Sequence, residues 1–377
     1  RALSGVYLQI ITMGTDNASL LKSVLSALGT LLYVQETADG FWNSVQALQC
    51  VNTLLAFLED ANMKLRKVAS DHVIRLLTLH KKNGSKALRN YISAFCSGVL
   101  ASCTRADYKR SLYIVLFLES AMVYLPNEAS SCLALLHTVM GTHHCQQPVL
   151  TAATMRMVDA WFQSQQFSLR EEETVGGLIL VAAGPLHTTD MESNTYHCLS
   201  LGSATVRLHR QITSGTGIAT GASKGAKSDP HTLARLFSNV CAVLVHNCES
   251  DFVQVHDAVG TTLKRVAGEC MDPTTVQEAL AYCLEKQQRG GGRKRKTGTE
   301  VAASSFAGQE IPHPIVIQIV DTLQTLLQQR YSKSWSHVIA TARTLMERLR
   351  SAGAAIGVKL GMSGQDVCSV ICSSLVS

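Results

Sequence analysis

The chain has 377 residues, 46% of them hydrophobic and 16% charged, which is enough apolar material for a large buried core and excludes wholesale disorder. A net charge of +6 and a pI near 8.7 suit an anionic partner without identifying one. The longest apolar stretches, Tyr113 to Leu125 and Val175 to Leu186, are interrupted by Glu119 or too short for about 30 Å of hydrocarbon, so no transmembrane helix is expected. The chain opens on Arg1 without a signal-peptide pattern and stops within an apolar stretch at Val376 and Ser377, which predicts a piece of a longer polypeptide.

Periodicity of 3.6 residues runs almost end to end, and the two-residue alternation of strands is nearly absent, so the chain reads as all-helical. Leu20, Leu21, Val24, Leu25, Leu28, Leu31 and Leu32 form the first apolar stripe, behind cap candidates Thr15 and Asp16. Trp42, Val45, Leu48, Val51, Leu54, Leu55 and Leu58 form the second. The segment from Asp60 to Leu77 is a third. Further helices are predicted near 85–103, 107–125, 128–141, 148–165, 170–183, 194–211, 231–246, 252–267, 273–288, 314–330 and 333–352. Turn signals at Asn83-Gly84, Leu125-Pro126-Asn127 and Asp272-Pro273 separate them.

Helices of this length joined by short turns favour antiparallel neighbours, and a dozen or more exceed a single bundle core. Stacked hairpins solve the burial problem. The third segment fits that solution: Asp60, Leu65, Arg66, Ala69 and Val73 follow the D-x4-[VL]-R-x2-A-x3-[VL] pattern of the second helix of a HEAT repeat. Small Ala69 admits a close neighbour, Leu65 and Val73 fill the groove between repeats, and Arg66 is expected to bond an acid at the equivalent turn of an adjacent repeat. Val149, Leu150, Ala153 and Met157 repeat the apolar spacing without the Arg. Val255, His256, Val259 and Leu263 repeat it with His in the Arg place. The expected fold is an all-α, HEAT/armadillo-like α-solenoid of stacked antiparallel helix hairpins.

Two polar interruptions set the expected organisation. Residues 212–229 are rich in Gly, Ser and Thr and read as a flexible loop dividing the array. Residues 289–310 form a basic Gly-rich loop. The array is thus expected over 1–211, continues over 230–288, and resumes over 311–377.

Twelve cysteines do not make a disulfide scaffold in a chain of this length, because Cys50, Cys96, Cys132, Cys241 and Cys283 fall in apolar stripes and read as small core residues in a reducing compartment. Cys368 and Cys372 stand one helical turn apart with no second pair. His143, His144 and Cys145 cluster at an inter-helix turn, but a closed metal site needs four ligands and the others are not evident. No GxSxG, HExxH, P-loop or strand-to-helix GxGxxG motif occurs. The glycines of 215–225 lack the strand and the [ST] of a phosphate cradle. Glu171, Glu172 and Glu173 read as the first turn of a helix, suited by its dipole. His72, His80, His197 and His209 have no companion nucleophile or acid in an identifiable arrangement. The expectation is a protein that is not an enzyme and that needs no cofactor, metal or small-molecule substrate.

Charge is concentrated at Arg289, Arg293, Lys294, Arg295 and Lys296, around three glycines. Three readings stand for this loop: a solvated segment, a nuclear localisation signal, or a contact for the phosphates of RNA. A second basic group comprises Lys64, Arg66 and Lys67, then Lys81, Lys82, Lys86 and Arg89, then Arg105, Lys109 and Arg110. A solenoid would line several of these along one edge, although cations near helix C-termini would also suit the dipole. Aromatic residues are only 6% of the chain, so backbone contact and shape, rather than base stacking, would dominate any RNA binding.

From FLEDANMKLRKVASDHV through YKRSLYIVLFLESAMVYLPNEASSCLALLHTVM, PVLTAATMRMVDAWF and LHRQ, the order of segments resembles the ribosomal RNA-processing protein 12 family. The likeness continues through VLVHNCESDFVQVHDAVGTTLKRVAGECMDP and YSKSWSHVIATARTLMERLRSAG, with Trp335 in an early helical turn, and covers about residues 45 to 360. The resemblance implies a karyopherin-like, non-enzymatic solenoid of the nucleolus and nucleus that also passes to the cytoplasm. It implies action on precursor small-subunit rRNA, in the small-subunit processome and in pre-40S particles with a role in export. The partners it implies are precursor rRNA, preribosomal assembly proteins and the Ran GTPase, with no membrane. Two other classes stay open: a nuclear transport receptor of the karyopherin type, which the positive charge disfavours, and a generic HEAT protein-interaction scaffold.

Overall fold

The computed structural model describes residues 2–12, 17–35, 39–79, 86–125, 129–164, 190–213, 231–290, 313–360 and 363–373, and every regular element among them is helical. The expected helix at 170–183, with Glu171, Glu172 and Glu173, lies outside the described residues. The chain divides into two units, Arg1–Glu171 and Glu172–Ser377. Of the loop expected at 212–229, residues 214–229 lie outside the described residues, and the helices on either side pack together within the second unit.

In the first unit the helices are α1 (Ala2–Thr12), α2 (Ala18–Tyr33), the short α3 (Asp39–Trp42), α4 (Val45–Ala56), α5 (Met63–Leu79), α6 (Lys86–Ala101), α7 (Tyr108–Ala121), α8 (Ala129–Gly141) and α9 (Pro148–Gln163). Local chemistry fixes their starts. Asn17 Oδ1 accepts from the amides of Ser19 and Leu20, so Asn17 caps α2, while Thr15 and Asp16 lie outside the described residues. Ser44 caps α4 by accepting from Ala47, which leaves Trp42 in a separate short helix rather than in the second stripe. Pro148 opens α9 at the position where a missing amide hydrogen costs nothing.

These helices form two layers. α2, α5, α7 and α9 pack side by side in one; in the other, α1 packs on α4 and α6 on α8, with the short α3 against both α4 and α6. Within the first layer neighbours run parallel: Gly29 meets His72 while Tyr33 lies under Arg75, and Gln147 reaches Arg105 while Arg156 reaches Glu119. Leu65, Ala69, Val73, Leu76 and Leu77 of α5 are all buried, as the HEAT spacing requires. At α9 the spacing holds for Leu150, Ala153 and Met157, but Val149 is exposed.

The second unit repeats the two-layer plan with α10 (Met191–Thr213), α11 (His231–Asn247), α12 (Val253–Glu269), α13 (Pro273–Gly290), α14 (Ile315–Leu326), α15 (Trp335–Leu360) and α16 (Gly364–Ser373). One layer holds α10, α12, α15 and α16 in that order. In the other, α14 packs against both α11 and α13, so the spatial order is α11, α14, α13 rather than chain order. α13 accordingly buries Val276, Ala279, Leu280 and Cys283 chiefly against α14, α15 and α16. The helix expected over 314–330 ends at Leu326, where a tight turn over Gln329–Ser334 leads into α15. Both units are layered stacks of antiparallel hairpins, and the chain is all-α and solenoid-like.

Candidate nucleic-acid interface

The turn before α5 is organised by two side chains. Asp60 Oδ1 accepts from the Asn62 amide at 2.6 Å, and Asn62 Oδ1 accepts from the Lys64 amide at 3.0 Å, which aims the backbone into the helix. Arg66 then folds back. Its Nη1 donates to the carbonyls of Asp60 at 2.7 Å and Ala61 at 2.9 Å, and its guanidinium lies 3.7 Å from the centroid of the Tyr113 ring on α7. The expected bond to an acid of an adjacent repeat is not made; the guanidinium is instead turned onto the turn's own carbonyls and the Tyr113 ring. The acid-to-base link between repeats is made one residue earlier, by Glu59 to Arg110 of α7, with Asp107 3.6 Å from the same guanidinium.

The pairings Glu59–Arg110 and Arg66–Tyr113 show that α5 and α7 start at the same edge and run parallel. Lys64 and Lys67 occupy the first turns of α5, and Lys109 the first turn of α7; all three are exposed. They make no ion pair among the described residues. Their placement runs against the helix dipole, whose N-terminal end is positive and favours anions by about 0.3–1 kcal/mol. The dipole explanation allowed by the sequence, cations at C-termini, does not apply to this edge. Three exposed cations and two helix N-termini contribute positive potential there, which Glu59, Asp60 and Asp107 at the same edge offset in part.

The remaining basic candidates divide. Lys86 is exposed at the start of α6, which runs antiparallel to α7 across the turn 102–107, so it stands at the opposite end from Lys109. Arg89 is 5% exposed, because it sits between buried Leu88 and Ile92 on the core face of α6, and it offers no charge to a partner. Arg110 is exposed but held by Glu59, and Arg105 is exposed in the turn before α7. Lys81 and Lys82 lie outside the described residues, as do Arg293, Lys294, Arg295 and Lys296. Arg289 falls in the last turn of α13, with its side chain outside the described residues.

Several pairings had no readable sequence signal. His209 Nε2 lies 2.8 Å from Asp272 Oδ2 and 3.1 Å from Thr275 Oγ1, so this histidine has an acidic companion after all. Burial alone would raise the Asp272 carboxyl, but bonds from His209 and Thr275 hold it well below the usual carboxylate range. Arg265 Nη1 donates to Ser203 Oγ at 2.6 Å, and Thr262 Oγ1 to the Cys198 carbonyl at 2.7 Å, tying α12 to α10. Such ties stand 37 to 84 residues apart without a fixed interval. Among the described residues no group of three or more His, Cys, Asp and Glu is arranged to hold a metal, and no helix is long and apolar enough to cross a membrane.

No family model matches the chain, and no curated protein matches it. Among solved structures, the crystal structure of an engineered protein aligns over 100% of this chain and 99% of its own, with 9% identity and a TM-score of 0.21.

Proposed function

We propose that this chain is a non-enzymatic scaffold of ribosome biogenesis that binds precursor small-subunit rRNA and assembly factors in the nucleolus and nucleus. The reading rests on the resemblance to the ribosomal RNA-processing protein 12 family, which brings with it the small-subunit processome, pre-40S particles, a role in export that passes through the cytoplasm, and the Ran GTPase as a partner. The observation that carries the RNA part is the exposed row of Lys64, Lys67 and Lys109 at the N-terminal edge of α5 and α7. Cations there cost helix stability, and a phosphate backbone offsets that cost by entering the combined field of side chains and helix ends. Arg66 and Arg110 support the row, since their bonds to the turn carbonyls and to Glu59 fix the two helix starts beside each other.

The test is ultraviolet crosslinking of the tagged full-length protein in growing cells, with sequencing of attached RNA and sedimentation of the complexes. Reads concentrated in precursor small-subunit rRNA, in fractions heavier than free protein, support the scaffold. Absence of both moves the transport-receptor or generic-scaffold reading ahead.

A further inference from the structure

Two buried thiols meet in the first unit. Cys103 follows the C-terminus of α6, where its amide donates to the Leu100 carbonyl at 3.1 Å. Cys145 ends the tight turn Thr142–Cys145 between α8 and α9. Their sulfurs, 42 residues apart in sequence, stand 3.2 Å apart. Both turns are held in place. Gln147 Nε2 donates to the Arg105 carbonyl at 3.4 Å, bridging them, and buried Thr142 Oγ1 donates to the Val139 carbonyl and meets Thr154 Oγ1. Gln146, beside Cys145, has a φ of 53°, a left-handed conformation that a glutamine adopts only when its surroundings impose it.

His144 completes the group. Its Nδ1 bonds the Gly141 carbonyl, which can only accept, so Nδ1 carries the hydrogen and Nε2 presents a lone pair. That nitrogen lies 3.7 Å from Cys145 Sγ. The consistent assignment is a relay in which the Cys103 thiol donates to Cys145 Sγ and the Cys145 thiol donates to His144 Nε2.

We propose that Cys103 and Cys145 are a dithiol that a hydroperoxide converts to an intramolecular disulfide, with Cys145 as the attacking sulfur and His144 as its proton acceptor. The Cys145 proton passes to His144 Nε2, and the sulfur attacks one peroxide oxygen. An S–O bond forms, the O–O bond breaks, and the leaving alkoxide or hydroxide takes the proton from His144. The Cys103 sulfur then attacks the Cys145 sulfenic acid. The S–S bond forms, the S–O bond breaks, and hydroxide leaves with the Cys103 proton as water. Each sulfur loses one electron and the two peroxide oxygens gain them. The sulfurs close by roughly 1 Å to reach a disulfide near 2.05 Å.

The reaction is slow at neutral pH, since burial and the neighbouring Cys103 push the Cys145 thiol up to about 11. Its selectivity comes from geometry, the 3.2 Å sulfur contact and the His144 acceptor, since burial raises the thiols of Cys96, Cys241, Cys248, Cys368 and Cys372 as well.

The reduced full-length chain is treated with hydrogen peroxide in steps, alkylated, and mapped by mass spectrometry without reduction. The expected first product is a Cys103 peptide joined to a Cys145 peptide and lighter by two hydrogens, with thermal unfolding raised by at least about 4 °C and reversed by a reductant. His144→Gln slows its formation about tenfold at pH 7, with a smaller effect as pH rises. Recovery of both thiols alkylated, an earlier disulfide elsewhere, or a rate indifferent to His144→Gln overturns the proposal. The mapping on the unsubstituted chain does not depend on a variant that folds.

Discussion

Arg66 and His256 make the same contact at equivalent positions of the two units. Arg66 Nη1 donates to the Asp60 carbonyl and His256 Nε2 to the Ser250 carbonyl, each six residues upstream. The turns match as well, since Asp60 Oδ1 accepts from the Asn62 amide and Ser250 Oγ from the Phe252 amide. Each side chain then reaches the next repeat, Arg66 to the Tyr113 ring on α7 and His256 Nδ1 to Ser334 Oγ at 2.6 Å, in the turn that leads into α15. The position closes its own turn and docks the following repeat.

That double duty predicts the response to substitution. Arg66→Ala removes two charge-assisted hydrogen bonds and the contact with Tyr113, and should cost about 1–3 kcal/mol in chemical unfolding. A double-mutant cycle with Tyr113→Ala should return a coupling of about 0.5–2 kcal/mol. A coupling of zero would mean that the arginine acts through the turn alone.

Glycines separate close approach from mere helix weakness. A Cβ at Gly29 would run into the His72 ring across the α2–α5 contact, whereas one at Gly98 meets nothing within 4 Å. Overpacking costs about 1–3 kcal/mol and outweighs the propensity gain of 0.5–1 kcal/mol that alanine brings to a helix. Gly29→Ala should therefore lower the unfolding temperature, and Gly98→Ala should raise it. Equal shifts in the two variants would refute the tight α2–α5 packing.

The sequence carried most of the architecture because burial repeats at helical spacing, and the apolar positions of α5 are all where the pattern puts them. Partner choice was less legible. The pattern placed Arg66 correctly but assigned it a neighbour's acid, since nothing local distinguishes a carboxylate in the next repeat from a carbonyl in the same turn. Arg89 read as a surface cation because its charge outweighed its register between Leu88 and Ile92. The α11, α14, α13 order was invisible for a related reason: periodicity says which face is apolar, and it does not say which helix covers it.

His72 gives a pH dependence with a defined sign. Burial and the adjacent Arg75 lower its pKa from 6.5, with Asp71 opposing. Below about pH 6.5 the unfolded chain binds the proton and the folded chain resists it, so stability falls with decreasing pH until the lowered folded value is reached. The loss cannot exceed about 1.4 kcal/mol per pH unit. Above pH 6.5 this contribution is constant. Subtracting the pH profile of His72→Gln from that of the unsubstituted chain should isolate the slope, and superimposable profiles would show that His72 does not supply it.

The lysine edge predicts a change in salt dependence rather than in fold. Lys64, Lys67 and Lys109 are exposed, so reversing them to Glu leaves the core packing intact and improves the charge match with the helix N-termini. Lys64→Glu/Lys67→Glu/Lys109→Glu should therefore unfold at the same temperature or slightly higher. Binding to single-stranded RNA should weaken, and the log-log salt slope should become shallower by about 2 if each lysine meets one phosphate. Fluorescence anisotropy across a salt series reads both the affinity and the slope. An unchanged slope with unchanged affinity would place the RNA contact away from α5 and α7.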